Sequence, residues 1–541
     1  MKLELPPIPD NERTPLLLAL LGIIDMLQQR NQALEETVQK LRDEIAVLKG
    51  QKPKPTIAPS QLEKPTKKPR EEGDKRPGSA KRSKKTSPQV PQVVKVPFPN
   101  APAGSVSKGF EPYDVQELEI TVKLTRYLRE RIQLPDGSTQ LAPLPGEVVL
   151  GSHFGRTLIA YILNQHHQCN VTQPLLLEQL REWGIDLSIG QLSNLLTEGK
   201  ELFHEEKEEV LRAGLQTASY IGVDDTGARH DGKNGYCTAI GNDLFAYFES
   251  TDSKSRVNFL QVLRGKCQGY VINEVANGYW LQQKLPLEWL EKLNAGPACF
   301  VGAKAWEAHL VELGLTTERL IRIATEGALL GTVIELGAAP DLVILSDGAR
   351  QFDLLVHAAC WVHIERPLAK IVPYNETHRQ AIEQIQQQLW DLYQDLKAYP
   401  LQPNPVAKVL LTARFDALVE QKSEYSTSIG HVLKEMRDHK ADLLRILERP
   451  EVPLHNNASE SDIRGYVKTR KISGSTRSPA GRRCRDTFTS LKKTCRKLGV
   501  SFWEFLIDRI GRLGEIPRLA DLIRQKAVPR PTVEPLQAAA A

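Results

Sequence analysis

The chain has 541 residues, of which 41% are hydrophobic and 25% are charged, and its formal net charge is +5. This length predicts about three or four domains, and the composition excludes a collagen-like, mucin-like or broadly disordered protein. Seven scattered cysteines without any CxxC pair exclude a disulfide scaffold and the usual zinc ribbon, and they predict a cytoplasmic protein.

Positive charge is concentrated in two segments. Residues 51–100 contain 13 Lys/Arg against 4 Asp/Glu, and residues 464–499 contain 12 Lys/Arg against one acidic residue, Asp486. Because the whole chain carries only +5, the rest of it is acidic. This distribution predicts a polyanionic partner that is bound at defined places.

The first segment, residues 1–50, carries a heptad repeat. The leucines spaced by seven are Leu20, Leu27, Leu34, Leu41 and Leu48, and the interleaved positions hold Ile24, Asn31, Val38 and Ile45. β-Branched residues with a single Asn at one seam position, and Leu at the other, favour a parallel two-stranded coiled coil. We therefore expect self-association through Leu20–Leu48, with one helix docked on its own protein as the alternative. The longest nearby apolar run is far shorter than the roughly 20 residues that span a bilayer, so no membrane contact is expected.

The next two segments differ in composition. Residues 51–108 are rich in Pro, Lys and Ser, which predicts a basic disordered linker that contacts phosphates weakly or serves only as a tether. Residues 109–215 are expected to be mainly helical. Within them, the pattern of residues 172–197 predicts a helix, a turn and a second helix, with Ser188 as the cap of the second helix. Such a pair can place its second helix in a DNA groove, and a plain helical hairpin is the alternative.

A β pattern follows. Short runs at 220–225, 236–240 and 244–249 are separated by turn residues, which predicts a three-stranded meander. A helix is expected over 254–263, a buried strand over 341–345, and helices over 364–450 and 454–512. We assign residues 216–512 to one α/β domain with insertions at 266–340 and 364–450, and residues 513–541 to a C-terminal tail.

Three acidic positions stand out in this domain. Asp224-Asp225 ends a meander strand, Asp347 follows the buried strand, and Glu460 lies early in a predicted helix. Carboxylates brought together from such places can hold two divalent metal ions that cut or join phosphodiesters, and oxygen ligands suit Mg²⁺. The alternative is that each acid belongs only to a turn or a solvated surface. Asp353, Asp462 and Asp225 are other acids of the domain that could be mistaken for members of such a site.

Several stretches, in order, resemble transposases of the insertion sequence 66 family. They are VDDTGAR (223–229), KSRVNFLQVLRG (254–265), SDGARQF (346–352), AACWVHIERPL (358–368), HNNASESDIRGYVKTRKISG (455–474) and LKKTCRKLGVSFWEFLIDRI (491–510). The resemblance covers most of residues 150–512. It implies a ribonuclease-H-like α/β catalytic core, a helical N-terminal DNA-binding region, a helical insertion and an N-terminal coiled coil.

The resemblance also implies roles for individual residues. It makes Asp224, Asp347 and Glu460 the catalytic and metal-binding acids, with Asp225 as the alternative first acid. Two Mg²⁺ ions are implied, for which Mn²⁺ can substitute. The residues that follow Glu460 in the last helical block would bind DNA, and they are Arg464, Lys468, Arg470 and Lys471.

Cys360 and His363 form a CxxH pair without a second pair nearby in sequence, so we interpret Cys360, Trp361 and His363 as packing residues around the site. The chain departs from the family in two respects. Residues 100–165 lack the cysteines of the zinc module that many members carry, and residues 266–340 put extra chain between the meander and Asp347.

Two functions are consistent with these features. The first is a DNA transposase that binds the inverted repeats of its element, cleaves the strands and transfers them to target DNA, with accessory proteins of the same element as possible partners. The absence of a GxxxxGK[ST] loop argues against an ATP-driven motor. The second is a catalytically inactive, dimeric DNA-binding regulator derived from such an enzyme. Because all three acids are present, the sequence favours the active enzyme.

Overall fold

A computed structural model describes residues 93–527, with gaps at 101, 116, 147, 150, 372, 374–375 and 422–426, and nine separate residues between 20 and 34. The chain divides into two units, residues 63–128 and the remainder. The nine N-terminal residues are helical. Most of the predicted coiled coil, the linker as far as residue 92 and the tail from residue 528 lie outside the described residues.

The expectation of a mainly helical region over 109–215 is wrong for its first part. The described residues from 93 to 128 are exposed and form no helix or strand, and the next segment forms a hairpin of β1 (Arg131–Gln133) and β2 (Thr139–Leu141). Apolar and polar residues alternate from Leu118 to Leu124, which is the period of a strand and not of a helix. The hairpin turns at Asp136-Gly137, where Gly137 has a φ of 82°.

Helices begin at residue 156. They are α1 (Arg156–Leu163), α2 (Gln173–Glu182), α3 (Ile189–Thr197) and α4 (Glu201–Thr217), with a π-helical turn (Asn164–Gln168) after α1. The predicted helix, turn, helix over 172–197 is confirmed as α2 and α3. Ser188 and Gln191 form a reciprocal capping box at the start of α3. The inward-facing Leu192 and Leu196 of α3 are buried in the main hydrophobic core.

The centre of the molecule is a five-stranded mixed sheet with the order β5-β4-β3-β8-β9. The predicted meander is confirmed as β3 (Tyr220–Gly227), β4 (Tyr236–Gly241) and β5 (Ala246–Thr251), which pair antiparallel. β8 (Val343–Ser346) and β9 (Val356–Ala359) add in parallel on the other side of β3. The predicted strand at 341–345 is therefore confirmed, and it becomes the direct neighbour of the first meander strand.

The chain between β5 and β8 begins with α5 and continues as a small α/β segment. Its elements are α5 (Arg256–Arg264), β6 (Gly269–Val271), α6 (Glu274–Gln282), α7 (Leu287–Asn294), β7 (Cys299–Val301), α8 (Ala303–Glu312) and α9 (Glu318–Glu335). The predicted helix over 254–263 corresponds to α5. The buried side chains of this segment join the main core on one face of the sheet, beside Ile221, Val223 and Ile344.

A helical region with its own core follows β9. Its elements are α10 (Trp361–Ala369), α11 (Glu376–Ala398), α12 (Pro405–Val419), α13 (Thr427–Asp438) and α14 (Lys440–Leu443), with 3-10 turns at Tyr399–Leu401 and Arg445–Leu447. The core includes Trp361, Tyr393 and Phe415. Within the described residues, no helix is both long and apolar enough to cross a membrane.

The last four helices close the structure. They are α15 (Asn457–Ser473), α16 (Pro479–Leu498), α17 (Phe502–Gly511) and α18 (Leu519–Lys526). The expected tail therefore contains a helix, because Leu519, Ala520 and Ile523 of α18 are buried. In the buried interior, Arg509 of α17 forms a two-point ion pair with Glu206 of α4, at 2.7 and 2.9 Å, and this pair fixes α17 to α4.

Helix α16 covers the edge strand β5. The backbone N–H groups of Ala246, Phe248 and Ser250 donate to Thr494 Oγ1, Ser490 Oγ and Asp486 Oδ2, at 3.1, 2.9 and 2.9 Å. The three acceptors are four residues apart, which places them on one face of a helix. They accept N–H groups that would otherwise be unpaired along the edge of the sheet, where a strand of another chain could pair with them.

Candidate active site

Two of the predicted acids are brought together by strand register. β3 and β8 are neighbouring parallel strands, and Gly222 pairs with Leu345. Asp224 lies two residues after Gly222 within β3, and Asp347 lies two residues after Leu345, just past the end of β8. Since side chains alternate between the faces of a strand, Asp224 projects from the same face as Gly222. The charge of Asp347 helps to raise the pKa of Asp224, so the two carboxylates lie close together.

The third acid comes from α15, which lies against β3 on that same face. Gly222 permits this approach, because a Cβ atom there would lie 2.4 Å from Asn456 Oδ1 and from Ser459 Oγ. Asn456 also donates from Nδ2 to the carbonyl of Val223 at 2.7 Å. These contacts fix the first turn of α15, in which Glu460 lies.

The electrostatics of Asp224 reflect this crowding. Burial is the largest cause that raises the pKa of Asp224, to about 7. The charge of Asp347 adds to this rise, and the charges of Asp225 and Glu460 add more weakly. The N–H of Asp225 donates to Asp224 Oδ1 at 2.8 Å and opposes the rise. In the part of the chain that the structure describes, no Lys or Arg forms an ion pair with Asp224 or Asp347. A group of carboxylates with little compensating charge has the chemistry of a divalent-cation site.

Asp225 lies on the opposite face of β3. Its carboxylate forms an ion pair with Lys254 and accepts from Gln351 Nε2 at 3.0 Å. The structure therefore places Asp224, and not Asp225, among the acids Asp347 and Glu460.

Three side chains surround Glu460. Its Oε2 lies 3.1 Å from Arg464 and 3.7 Å from Arg366, and its Oε1 lies 3.9 Å from His363 Nε2. Burial and the charge of Arg366 lower the pKa of His363, which keeps the ring neutral near pH 7. Arg366 was not singled out from the sequence, although the stretch 358–368 that contains it was.

Cys360, His363 and Glu460 also form a group whose ligand atoms all lie within 4.8 Å of one another. Cys360 is buried, its sulfur accepts from the N–H of Asn456 at 3.3 Å, and burial raises the pKa of its thiol to about 11. Zinc binding requires a thiolate, which this setting disfavours. The interpretation of Cys360 and Trp361 as packing residues agrees with their burial, while His363 lies directly beside the carboxylate of Glu460.

The predicted DNA-binding residues are not equivalent in the structure. Arg464, Lys468 and Lys471 are exposed and follow Glu460 along one face of α15. Arg470 lies instead over β3, where a Cβ on Gly227 would be 3.5 Å from its guanidinium. Lys468 and Lys471 have no ion-pair partner among the described residues.

Much of the remaining positive charge of residues 464–499 serves the fold. Lys493 and Lys497 both pair with Asp462, at 3.2 and 2.9 Å, and Arg482 pairs with Asp252 at 3.1 Å. The net charge of the segment therefore overstates the basic surface that is free for a partner.

Two comparisons with known proteins bear on this site. Residues 344–483 match a protein-family model described as "Transposase IS66 family". This range contains Asp347 and Glu460 but begins after Asp224. The chain is also 39% identical over 322 residues to the uncharacterized protein y4jO of Sinorhizobium fredii, a match that covers 59% of this chain and 100% of the relative.

Proposed function

The chain belongs to the transposase IS66 family, and from this premise we propose that it is a DNA transposase that cleaves the ends of its insertion sequence and transfers the strands to target DNA. The observation that carries the proposal is the convergence of Asp224, Asp347 and Glu460 on one face of the sheet. We further propose that the five-stranded sheet with α15 is a ribonuclease-H-like core, which the position of one acid on β3 and of another just after the neighbouring strand β8 supports.

The three carboxylates fit divalent metal ions. They offer only oxygen donors, and the charges of Asp347, Asp225 and Glu460 add to burial in raising the pKa of Asp224. Two bound Mg²⁺ or Mn²⁺ ions would activate the attacking oxygen and stabilise the leaving oxygen of a phosphodiester. Asp224, Asp347 and Glu460 are the residues that would hold them.

The other residues would bind and orient the substrate. Arg464, Lys468 and Lys471 extend from Glu460 along the exposed face of α15, so a DNA strand whose phosphates follow this face would pass the acids. Arg366 and Arg464 hold Oε2 of Glu460 and keep this side chain in place. We also propose DNA contact by Arg470 and by the helices α2 and α3.

Strand cleavage and joining on a labelled duplex with the terminal repeat of the element tests this function. Wild type and Glu460→Gln are compared in Mg²⁺, in Mn²⁺ and in EDTA. Glu504→Gln is the matched control, since Glu504 lies in the first turn of α17 as Glu460 does in α15. We expect metal-dependent cleavage by wild type and the control, and none by Glu460→Gln.

The opposite result would support a different function. If wild type binds the repeat but cuts it in no metal, alone or with the accessory proteins of the element, the chain is a DNA-binding regulator derived from a transposase.

Self-association through the predicted coiled coil belongs to the same proposal. A transposase that pairs two element ends needs at least two copies, and the heptad offers a dimer interface. Ile24→Glu should give monomers in sedimentation experiments. An unchanged dimer would place the interface elsewhere.

A further inference from the structure

A buried chain of hydrogen bonds runs from the helical region to the turn that carries Asp347. Asp442 Oδ2, near the end of α14, lies 3.1 Å from His357 Nδ1 on β9. His357 Nε2 lies 2.8 Å from Ser346 Oγ at the end of β8, and the N–H of Gly348 donates to that Oγ at 3.1 Å. Ser346 and His357 are both buried.

The direction of each hydrogen bond follows from the donors available. An ionised carboxylate only accepts, so Asp442 selects the tautomer of His357 with the proton on Nδ1. Nε2 then accepts the proton of the Ser346 hydroxyl. The oxygen of Ser346 in turn accepts the N–H of Gly348. Every polar group in this chain is satisfied in one consistent arrangement.

The trio of Ser, His and Asp resembles the arrangement that activates a nucleophilic serine, but it does not have that function here. Ser346 has no exposed surface, and its oxygen already accepts the N–H of Gly348. A nucleophile must reach a substrate. The chain of hydrogen bonds therefore acts on the backbone to which it is attached.

That backbone is the turn that presents Asp347. Gly348 has a φ of 89°, a conformation that favours glycine, and Asp347 Oδ1 accepts the N–H of Ala349 at 3.1 Å. Asp347 itself is exposed and has no ion-pair partner among the described residues. The position of its carboxylate therefore depends on the turn, and the turn depends on Ser346.

The far end of the chain is anchored in the helical region. Asp442 also lies 3.6 Å from Arg445 and 3.4 Å from His439, and Arg445 Nε donates to the carbonyl of His357 at 3.1 Å. These partners lower the pKa of Asp442, with the hydrogen bond from His357 as the largest cause opposing burial. The helical region therefore contacts His357 at two points, with Asp442 at the ring and Arg445 at the backbone carbonyl.

We propose that Asp442 and His357 are positioning residues that hold Asp347 in place for cation binding, so that the helical region supports the acid cluster from outside the sheet. The proposal rests on the proposed function for its link to cleavage. Groups that directly hydrogen-bond a metal ligand change metal affinity or activity by about 10–100-fold, and we expect an effect at the lower end of this range from a chain that ends at the turn of Asp347.

The experiment compares Asp442→Asn with Asp416→Asn. Asp416 pairs with Lys440 at 2.6 Å in the same helical region, but no hydrogen bond links it to Asp347. Mn²⁺ binding is measured by calorimetry on the full chain, and cleavage of the terminal repeat is followed against Mg²⁺ concentration. We expect Asp442→Asn to raise the Mn²⁺ dissociation constant and the half-maximal Mg²⁺ concentration by about 10-fold or more, and Asp416→Asn to leave both unchanged.

A second pair of variants separates positioning from stability. His357→Gln keeps a donor and an acceptor, whereas His357→Leu has neither. If His357 positions Asp347, Gln restores part of the Mn²⁺ affinity that Leu removes. Equal Mn²⁺ affinity in all folded variants, with only the thermal midpoint lowered, would overturn the inference. Weakened Mn²⁺ binding without cleavage even by wild type would leave the inference standing and refute the proposed function.

Discussion

Two clusters of charged residues lie at the central sheet. Each contains an aspartate with a raised pKa, and the two aspartates differ in their partners. The site cluster is Asp224, Asp347 and Glu460, and the edge cluster is Asp486 with Glu249 and Lys207, beside strand β5. Burial, with a neighbouring carboxylate as the next cause, raises the pKa of both Asp224 and Asp486 to about 7.

The difference lies in what surrounds each carboxylate. Asp486 accepts the N–H and the hydroxyl of Ser250, at 2.9 and 3.0 Å, and the fully buried Lys207 pairs with Glu249 beside it. Asp224 has one backbone donor and faces two more carboxylates. A raised pKa therefore does not by itself identify a functional acid. A carboxylate whose neighbours leave it short of positive charge is the better candidate for a cation site.

The largest expected effect is on the strand-cleavage rate, which should depend on the site cluster and not on the edge cluster. Asp347→Asn should lower the strand-cleavage rate by on the order of 10³-fold, because a metal ligand contributes several kcal/mol to transition-state stabilisation. Since Asp347 is exposed, the thermal midpoint and binding to the terminal repeat should change little. Loss of folding together with activity would show that Asp347 is structural, as Asp486 is.

The second prediction concerns stability. Asp486→Ala leaves the N–H and hydroxyl of Ser250 without their acceptor and should lower the free energy of unfolding by about 2–4 kcal/mol. Denaturant unfolding measures this loss. Asp521→Ala, at an exposed acid paired with Arg524, is the control and should cost little. A cleavage rate that fell in still-folded Asp486→Ala would remove the distinction between the clusters.

The third prediction uses pH. Asp486 has a pKa of about 7 in the folded protein against an ordinary value of 3.8. Between these values the folded state keeps a proton that the unfolded state has released, so the free energy of unfolding falls as pH rises from about 4 to 7 and then levels off. Asp486→Asn has no carboxyl proton at this position, so its free energy of unfolding should lack this dependence on pH. Urea unfolding at pH 4.5, 6 and 8 should show wild type losing up to about 3 kcal/mol relative to the variant, and parallel curves would contradict it.

The smallest expected effect concerns helix α16, which covers the edge strand β5. Ser490→Ala removes the acceptor for the N–H of Phe248 and should cost about 1 kcal/mol. Hydrogen exchange should become faster in the peptide that contains Phe248. Ser473→Ala is the control, because that hydroxyl bonds only within its own helix, to the carbonyl of Thr469. Equal exchange in both variants would mean that α16 does not protect β5.

Local pattern predicted much of the element order correctly. The three meander strands, the strand before Asp347 and the helix pair at 172–197 are signalled by periodicity and by turn and cap residues that lie close together in sequence. The prediction of helix is wrong for residues 109–155, where the described residues form only the short strands β1 and β2. The acids themselves were singled out because each one ends or begins a regular element.

The sequence by itself therefore determined which residues are candidates and in what order they occur. Only the tertiary structure decided which of them meet. The pairing of β3 with β8 brings Asp347, just past β8, close to Asp224. The missing side chain of Gly222 lets α15 bring Glu460 to the face of β3 that carries Asp224. His357 and Asp442 are 85 residues apart, and Lys493 and Lys497 turn to Asp462 and away from solvent. Such contacts depend on packing between distant segments, which no local period encodes.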